Sequence, residues 1–451
     1  SQLQAASVRA KSIHRPWRAR CRSTESKVHR CPKRVTIASG SWTKNIFRAT
    51  MQAPKMTTSA EPRKRTTIAT PRLGDGVGMA SSQNVRDHVT QLEKRRPVKG
   101  DLIFDANFES GNLGNVIMLN EVEYDLFIRP DTGNQKQRIW FYFSVRNCVR
   151  GQRVIFNIVN YCKCKSVYRD GMTPVIRSTS RPNWERMKSD STFYYKCPSR
   201  KKGYVISFAL VFDQEETYEI AFSFPYTYTT LQTYLGTIAA RKLGYFRRER
   251  LALTLQKRRL DLLTITAAEN MELDDQTTPR HTVFISARVH AGETPSSFMM
   301  QGFLDFLLSD DVEAAQLRKN VIFKIVPMLN PDGVVLGNYR CSSVGHDLNR
   351  CYTSPKNWTH PEIVAVKQLL RTLTIDSRYS LLFYLDLHAH TASTNSFLYG
   401  NWHDDTARMT AQWVFPKLLA AHADDFSEKT TDFNSHKAKA GTGRRAVIHT
   451  L

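Results

Sequence analysis

Two histidines and a glutamate have the spacing and type to hold a reactive metal. They lie in His290-Ala291-Gly292-Glu293 and, almost a hundred residues on, in Tyr384-Leu385-Asp386-Leu387-His388-Ala389-His390. Two imidazoles and one carboxylate form a three-ligand zinc set with its fourth position open, which is how catalytic zinc differs from structural zinc. An open position lets water bind, lose a proton near neutral pH and attack a carbonyl. The metal set is read as His290, Glu293 and His388. His390 is the alternative third ligand, because residues two apart on an extended chain point to the same side. Between the ligands, Arg340 and Arg350 could present forked donors to carboxylates, and Asn349 adds a neutral donor beside Arg350.

The elements around these residues must bring them together. An apolar run over 282–289 predicts a strand that ends at His290. Thr294 then reads as an N-cap and Pro295 as the first residue of a helix over 296–308. A second strand is expected over 321–328, ending in a turn at Asn330-Pro331-Asp332-Gly333. A helix over 361–373 and a strand over 381–387 lead into His388. Alternating strands and helices predict an α/β domain with a mixed, mainly parallel sheet flanked by helices. Such sheets bind ligands beyond the carboxyl ends of their strands, where His290 and His388 would both fall.

Upstream the pattern differs. From Leu102 to about residue 225, short runs such as Glu123-Tyr124-Asp125-Leu126-Phe127-Ile128 and Val154-Ile155-Phe156-Asn157-Ile158-Val159 alternate with turn-formers. They predict an antiparallel β-sandwich. Residues 226–261 carry helix-like spacing with many Arg and Leu and read as a helical connector. The expected divisions are a disordered basic tail over 1–99, the sandwich over 100–225, this connector, and a zinc domain over 262–451.

The net charge of +24 sits mostly in the tail, where residues 1–99 carry +17. A basic arm suits acidic partners such as nucleic acid, anionic membrane or an acidic protein surface, and it equally suits a solvated, unstructured tail. Ser1 opens the chain and Met51 offers an alternative start. The arm has no apolar secretory core, and its Arg-rich, acid-poor character superficially fits a mitochondrial transit peptide. Eight cysteines without a CxxC pair read as a reduced, intracellular pattern. No run of 18 or more apolar residues is present to span a membrane.

Three blocks together carry a family resemblance: HAGETPSSFMMQGFLDFLLS, NPDGVVLGNYRCSSVGHDLNR and DLHAHTASTNSFLYGN. They resemble the cytosolic carboxypeptidases, a branch of the zinc metallocarboxypeptidases. FDANFESGNLG and YDLFIRPDTGN resemble the β-sandwich that precedes the catalytic domain in that family. The resemblance covers about residues 100–447 and leaves 1–99 outside.

It implies one Zn2+ per chain, held by His290, Glu293 and His388, and removal of glutamates from polyglutamylated proteins such as tubulin. Arg340 would stabilise the oxyanion of the tetrahedral intermediate. Asn349 and Arg350 would hold the terminal carboxylate of the substrate. Arg444 is the candidate for the acidic side chain, with Arg445 its rival. Partners would be polyglutamylated proteins or microtubules rather than nucleic acid, in the cytoplasm, at the cytoskeleton, centriole or cilium base. Ala291 stands where the family usually has Pro. The family's catalytic Glu lies shortly after the Gly441-Thr442-Gly443-Arg444 segment, and no acid follows it before Leu451. The expectation is therefore a chain without its general base. The alternative is an inactive zinc-binding scaffold for microtubules or other acidic partners.

Overall fold

The computed structural model describes residues 98–197, 203–272 and 278–448, so the basic tail read over 1–99 lies almost wholly outside the described residues. The first part of the chain forms ten strands: β1 (Ile103–Asp105), β2 (Asn115–Asn120), β3 (Glu123–Phe127), β4 (Tyr142–Arg146), β5 (Arg153–Tyr161), β6 (Val175–Ser178), β7 (Glu185–Arg186), β8 (Thr192–Lys196), β9 (Tyr204–Val211) and β10 (Tyr218–Ala221). They build two five-stranded sheets, ordered β1-β4-β10-β6-β7 and β2-β3-β5-β9-β8. Period-two alternation drives this arrangement. In β5, Val154, Phe156 and Ile158 turn inward, while Arg153 and Ile155 face out. Phe104 and Phe143 of one sheet, themselves tilted against each other, both pack edge-on against Phe156 of the other, closing the sandwich. One pairing departs from the antiparallel pattern, because β3 and β5 run parallel. The chain between them crosses to the other sheet to form β4, so it returns in its original direction.

The second part begins with α1 (Tyr228–Ala240) and continues through β11 (Phe246–Leu253), β12 (Arg259–Ile265), β13 (Arg280–Ala287), α2 (Pro295–Leu307), α3 (Val312–Asn320), β14 (Val321–Val326), α4 (Pro331–Leu336), α5 (Pro361–Ile375) and β15 (Tyr379–Leu387). A small parallel pair, β16 (Tyr399–Asn401) and β17 (Asp432–Asn434), flanks α6 (Thr406–His422), and α7 (Gly443–Ile448) ends the described chain. The main sheet is ordered β11-β12-β14-β13-β15. It is mixed: β13 pairs in parallel with both β14 and β15, whereas β12 is antiparallel to β11 and β14. Both faces are covered. Ile285 of β13 packs with residues of α1 and α2, and Phe284 packs on the other face with residues of α5 and α7.

The helical connector expected over 226–261 is helical only in α1. The rest is the antiparallel hairpin of β11 and β12, whose arginine-rich spacing imitates a helix. Arg248 and Arg259 are there to serve a buried carboxylate. Asp261 accepts from Arg248 Nε at 2.9 Å and from Arg259 Nε at 2.5 Å. Thr294 is not a side-chain cap either. It already has helical dihedrals, and its hydroxyl is buried without a partner. The turn Asn330-Pro331-Asp332-Gly333 proves to be the start of α4, with the Asn330 side chain accepting Gly333 N–H at 3.0 Å. Gly337 then ends α4 at φ +72°, and a Cβ there would lie 2.4 Å from the Gly111 carbonyl oxygen of the sandwich. The two parts of the chain meet closely at this point.

Candidate metal centre

Parallel pairing of β13 with β15 sets their carboxyl ends side by side, with Ala287 opposite Leu387. His388 directly follows β15. His290 lies three residues beyond β13, in the turn that leads to α2. One ligand atom from each of His290, Glu293 and His388 lies within 4.8 Å of the others. Both rings offer Nδ1 to the glutamate: His290 Nδ1 is 2.8 Å from Glu293 Oε1, and His388 Nδ1 is 2.9 Å from Oε2. Ala389 N–H also donates to Oε2 at 3.0 Å. His390 lies outside this group, its ring packed edge-on against Phe397.

Each imidazole is oriented from behind by a second carboxylate. His290 Nε2 is 3.0 Å from Asp347 Oδ1, and His388 Nε2 is 2.8 Å from Asp386 Oδ2. Such outer carboxylates fix ring orientation and raise ligand basicity. Two Nδ1 atoms and a carboxylate, converging from separate loops with a carboxylate behind each ring, are the donor set zinc takes in catalytic sites. The residues therefore fit the metal.

The electrostatics agree. Burial alone would raise the Glu293 pKa, but His290 and His388 hold it well below the usual carboxylate range. Burial opposes a charge on His388, yet Asp386 and Glu293 outweigh it and push its pKa up to about 10. A pocket that draws a proton this strongly is built to stabilise a cation between the rings. The raised pKa stabilises the metal-free fold fully below the ordinary histidine value of about 6.5, and this contribution fades as pH rises through 10. Zinc must displace that proton. Apparent zinc affinity should therefore rise roughly tenfold per pH unit between about pH 7 and 9, as measured by chelator competition. A flat profile would show that His388 is already neutral or is not a ligand.

The arginines occupy distinct positions. Arg340 Nε donates to Asp347 Oδ2 at 2.7 Å, so Asp347 bridges this guanidinium and His290. Asp347 is held far below its normal pKa: burial opposes this, but His290, Arg340 and Arg350 prevail. Asn349 Nδ2 lies 3.1 Å from His388 Nε2, and its oxygen accepts Gly443 N–H at 2.9 Å. That bond ties the Gly441-Thr442-Gly443-Arg444 segment to the centre. A Cβ on Gly441 would meet the Arg350 carbonyl oxygen at 2.5 Å, so only glycine allows this approach. Arg350 Nη1 donates to the Asn349 carbonyl at 2.7 Å. Arg444 donates to Gly400 O and to Asn401 Oδ1, and Arg445 to Asn434 O.

Sequence reasoning passed over Asp347 and Asp386. The signals were present: Asp386 sits two residues before His388 on a strand, hence on the same side. Asp347 sits two residues before Asn349 in the same block as Arg350.

A mixed α/β sheet with this donor set at the ends of its parallel strands defines a zinc hydrolase of the carboxypeptidase class. Residues 231–447 match the Zinc carboxypeptidase family, and residues 104–222 match the Cytosolic carboxypeptidase N-terminal domain. Cytosolic carboxypeptidase 6 of Homo sapiens is 54% identical over 351 residues, covering 78% of this chain and 69% of the human protein. Cytosolic carboxypeptidase 6 of Caenorhabditis elegans is 45% identical over 356 residues, covering 78% and 76%. A putative carboxypeptidase A from Shewanella denitrificans superposes with a TM-score of 0.64 at 28% identity, covering 77% of this chain and 86% of that one. A metallo-carboxypeptidase from Burkholderia cenocepacia shares the fold, with a TM-score of 0.65 at 22% identity over 77% of this chain and 87% of that one. The chain belongs to the cytosolic carboxypeptidase family of zinc carboxypeptidases.

Proposed function

We propose that this protein removes glutamates from polyglutamylated proteins, tubulin among them, in the cytoplasm, using one zinc ion held by His290, Glu293 and His388. The observation that carries the reading is a group of cations beside the metal ligands that outnumber the acids acting on them. Among the described residues, Arg350, Lys439 and Arg444 form no ion pair. Burial lowers the Lys439 pKa, and the charges of Arg350, Arg340 and Arg444 lower it further against the opposing charge of Asp347. Like charges gathered in this way are costly unless an anion joins them. A terminal glutamate brings two carboxylates and a polyglutamate chain brings more.

When bound, zinc supplies a Lewis acid for the scissile carbonyl and an acidified water. The remaining work falls to the chain. Arg350 and Asn349 grip the terminal carboxylate, Arg444 or Arg445 reads the acidic side chain, and Arg340 faces the charge that develops on the carbonyl oxygen. Glu293, Asp347 and Asp386 are each committed to a histidine. None of the three is free to accept the water's proton. This favours a second reading for residues 1–451, a zinc-bound acidic-peptide binder without turnover, such as a microtubule scaffold.

One assay separates them. The 451-residue chain is incubated with a peptide ending in four glutamates, with and without chelator, and both binding and released glutamate are measured. Tight binding with no release supports the scaffold reading. Chelator-sensitive release shows that a base is in place after all. Equal binding of a tetra-glutamine peptide would sink both.

A further inference from the structure

We infer that Asp131, in the β-sandwich, is a positioning residue for the zinc site: it fixes the main chain of Arg340 and, through Tyr339, the turn that carries His290 and Glu293. This rests on the reading of Arg340 as the oxyanion donor.

Asp131 is 2% exposed, and among the described residues its carboxylate forms no ion pair. Instead it accepts three consecutive main-chain N–H groups from more than two hundred residues away. Oδ1 takes Tyr339 N–H at 2.7 Å, and Oδ2 takes those of Arg340 at 2.7 Å and Cys341 at 2.8 Å. Three donors aimed at one carboxylate form an anion nest, whose geometry is specific because every N–H has a fixed direction. The bonds are charge-assisted and buried, hence strong.

What they hold is the part of the chain that connects the site. Tyr339 carbonyl accepts Gly292 N–H at 2.6 Å, between His290 and Glu293. A Cβ on Gly292 would strike Tyr339 Cα at 2.9 Å, so the approach requires glycine. The Arg340 side chain reaches Asp347, which in turn orients His290. One sandwich carboxylate thus bears on the turn between His290 and Glu293 and on the guanidinium. Beside it, Thr132 N–H donates to Asn338 Oδ1 at 3.0 Å and its hydroxyl to the same oxygen at 3.1 Å. That contact lies in the same interface and acts on Asn338 rather than on Tyr339 or Arg340, and Thr132→Val keeps its main-chain bond, so Thr132 serves as the control.

Asp131→Asn keeps the shape but turns one acceptor into a donor facing N–H groups. The zinc-loaded chain is titrated with a phosphinic pseudopeptide bearing glutamate on both sides, a tetrahedral mimic, and with the glutamate peptide itself. Asp131→Asn should weaken the mimic roughly 10- to 100-fold, a large share of what an oxyanion donor contributes, and the peptide less than about threefold. Thr132→Val should leave both within about threefold. In an Arg340→Ala background, the loss of mimic affinity from Asp131→Asn should shrink to about threefold, because coupled residues are non-additive and only the path through Tyr339 remains. Equal losses for mimic and peptide, or a mimic loss no larger than that of Thr132→Val, would overturn the inference. An Arg340→Ala chain that binds the mimic as tightly as wild type refutes the oxyanion reading and this inference with it. A weakened Arg340→Ala beside an unaffected Asp131→Asn refutes this inference alone. If Asp131→Asn does not fold, amide exchange in the wild type decides: Arg340 and Cys341 should be protected like β13, and exchange at the rate of an open loop would refute the clamp.

Discussion

Replacing His290 with alanine should abolish stoichiometric zinc. The ring offers one of the three ligand atoms grouped there, and Glu293 and His388 would not close a site by themselves. If a zinc site of this kind is worth ~10–16 kcal/mol, one ligand's share is about 3–5 kcal/mol, or roughly 10²- to 10⁴-fold in affinity. The loss extends beyond the missing nitrogen. Glu293 gives up one of the two imidazoles that keep it ionised, and Asp347 is left with Arg340 and Arg350 alone. Both carboxylates then sit in a buried pocket with less compensation, which costs further stability. Asp347→Asn keeps all three ligands and should weaken zinc by only ~10–100-fold. The measurement is metal content after dialysis against a chelator of graded strength. Unchanged content in His290→Ala would remove this residue from the ligand set, and equal effects of the two variants would make His290 no more than a neighbour of the metal.

That contrast marks how much of the site could be read from the residues. His290, Glu293 and His388 were legible because each stands at a local transition, the end of an apolar run or the start of a helix, and local transitions leave patterns in sequence. Their convergence followed from the parallel pairing that alternating strands and helices imply. The hairpin of β11 and β12 was not legible as strands. Its Arg248 and Arg259 answer the buried Asp261, a tertiary need that overrides the local spacing. The parallel pairing of β3 with β5 depends on a crossing between two sheets, which no single run of residues reveals. Thr294 had the composition of a cap without its geometry, since the chain enters the helix one residue earlier. Least legible was Asp131. In sequence it belongs to an ordinary turn, Pro130-Asp131-Thr132-Gly133-Asn134. Only the fold shows that its partners are three amides more than two hundred residues downstream.

Arg350→Ala should weaken binding of every peptide with a free C-terminus by about a hundredfold, whatever its last side chain. A guanidinium forks onto a carboxylate through two parallel N–H bonds, and truncating such a pair in a desolvated site costs about 2–5 kcal/mol. In the free protein Arg350 spends one N–H on the Asn349 carbonyl and forms no ion pair among the described residues, so donors remain for a ligand. Arg350→Lys keeps the charge but loses the fork and should recover only part of the affinity. Arg444→Ala should act differently. Its guanidinium is anchored on Gly400 and Asn401, and burial with the neighbouring Arg445 lowers its pKa, so an added carboxylate there is strongly favoured. Its loss should erase the preference for glutamate over glutamine at the last position, ~10–100-fold, and leave a glutamine-ended peptide unaffected. Calorimetric titration with glutamate-ended, glutamine-ended and C-terminally amidated peptides separates the two roles. If Arg445→Ala rather than Arg444→Ala removes the glutamate preference, the side-chain reader is Arg445. If the amidated peptide binds Arg350→Ala and wild type with the same roughly hundredfold gap as the free acids, Arg350 does not hold the terminal carboxylate.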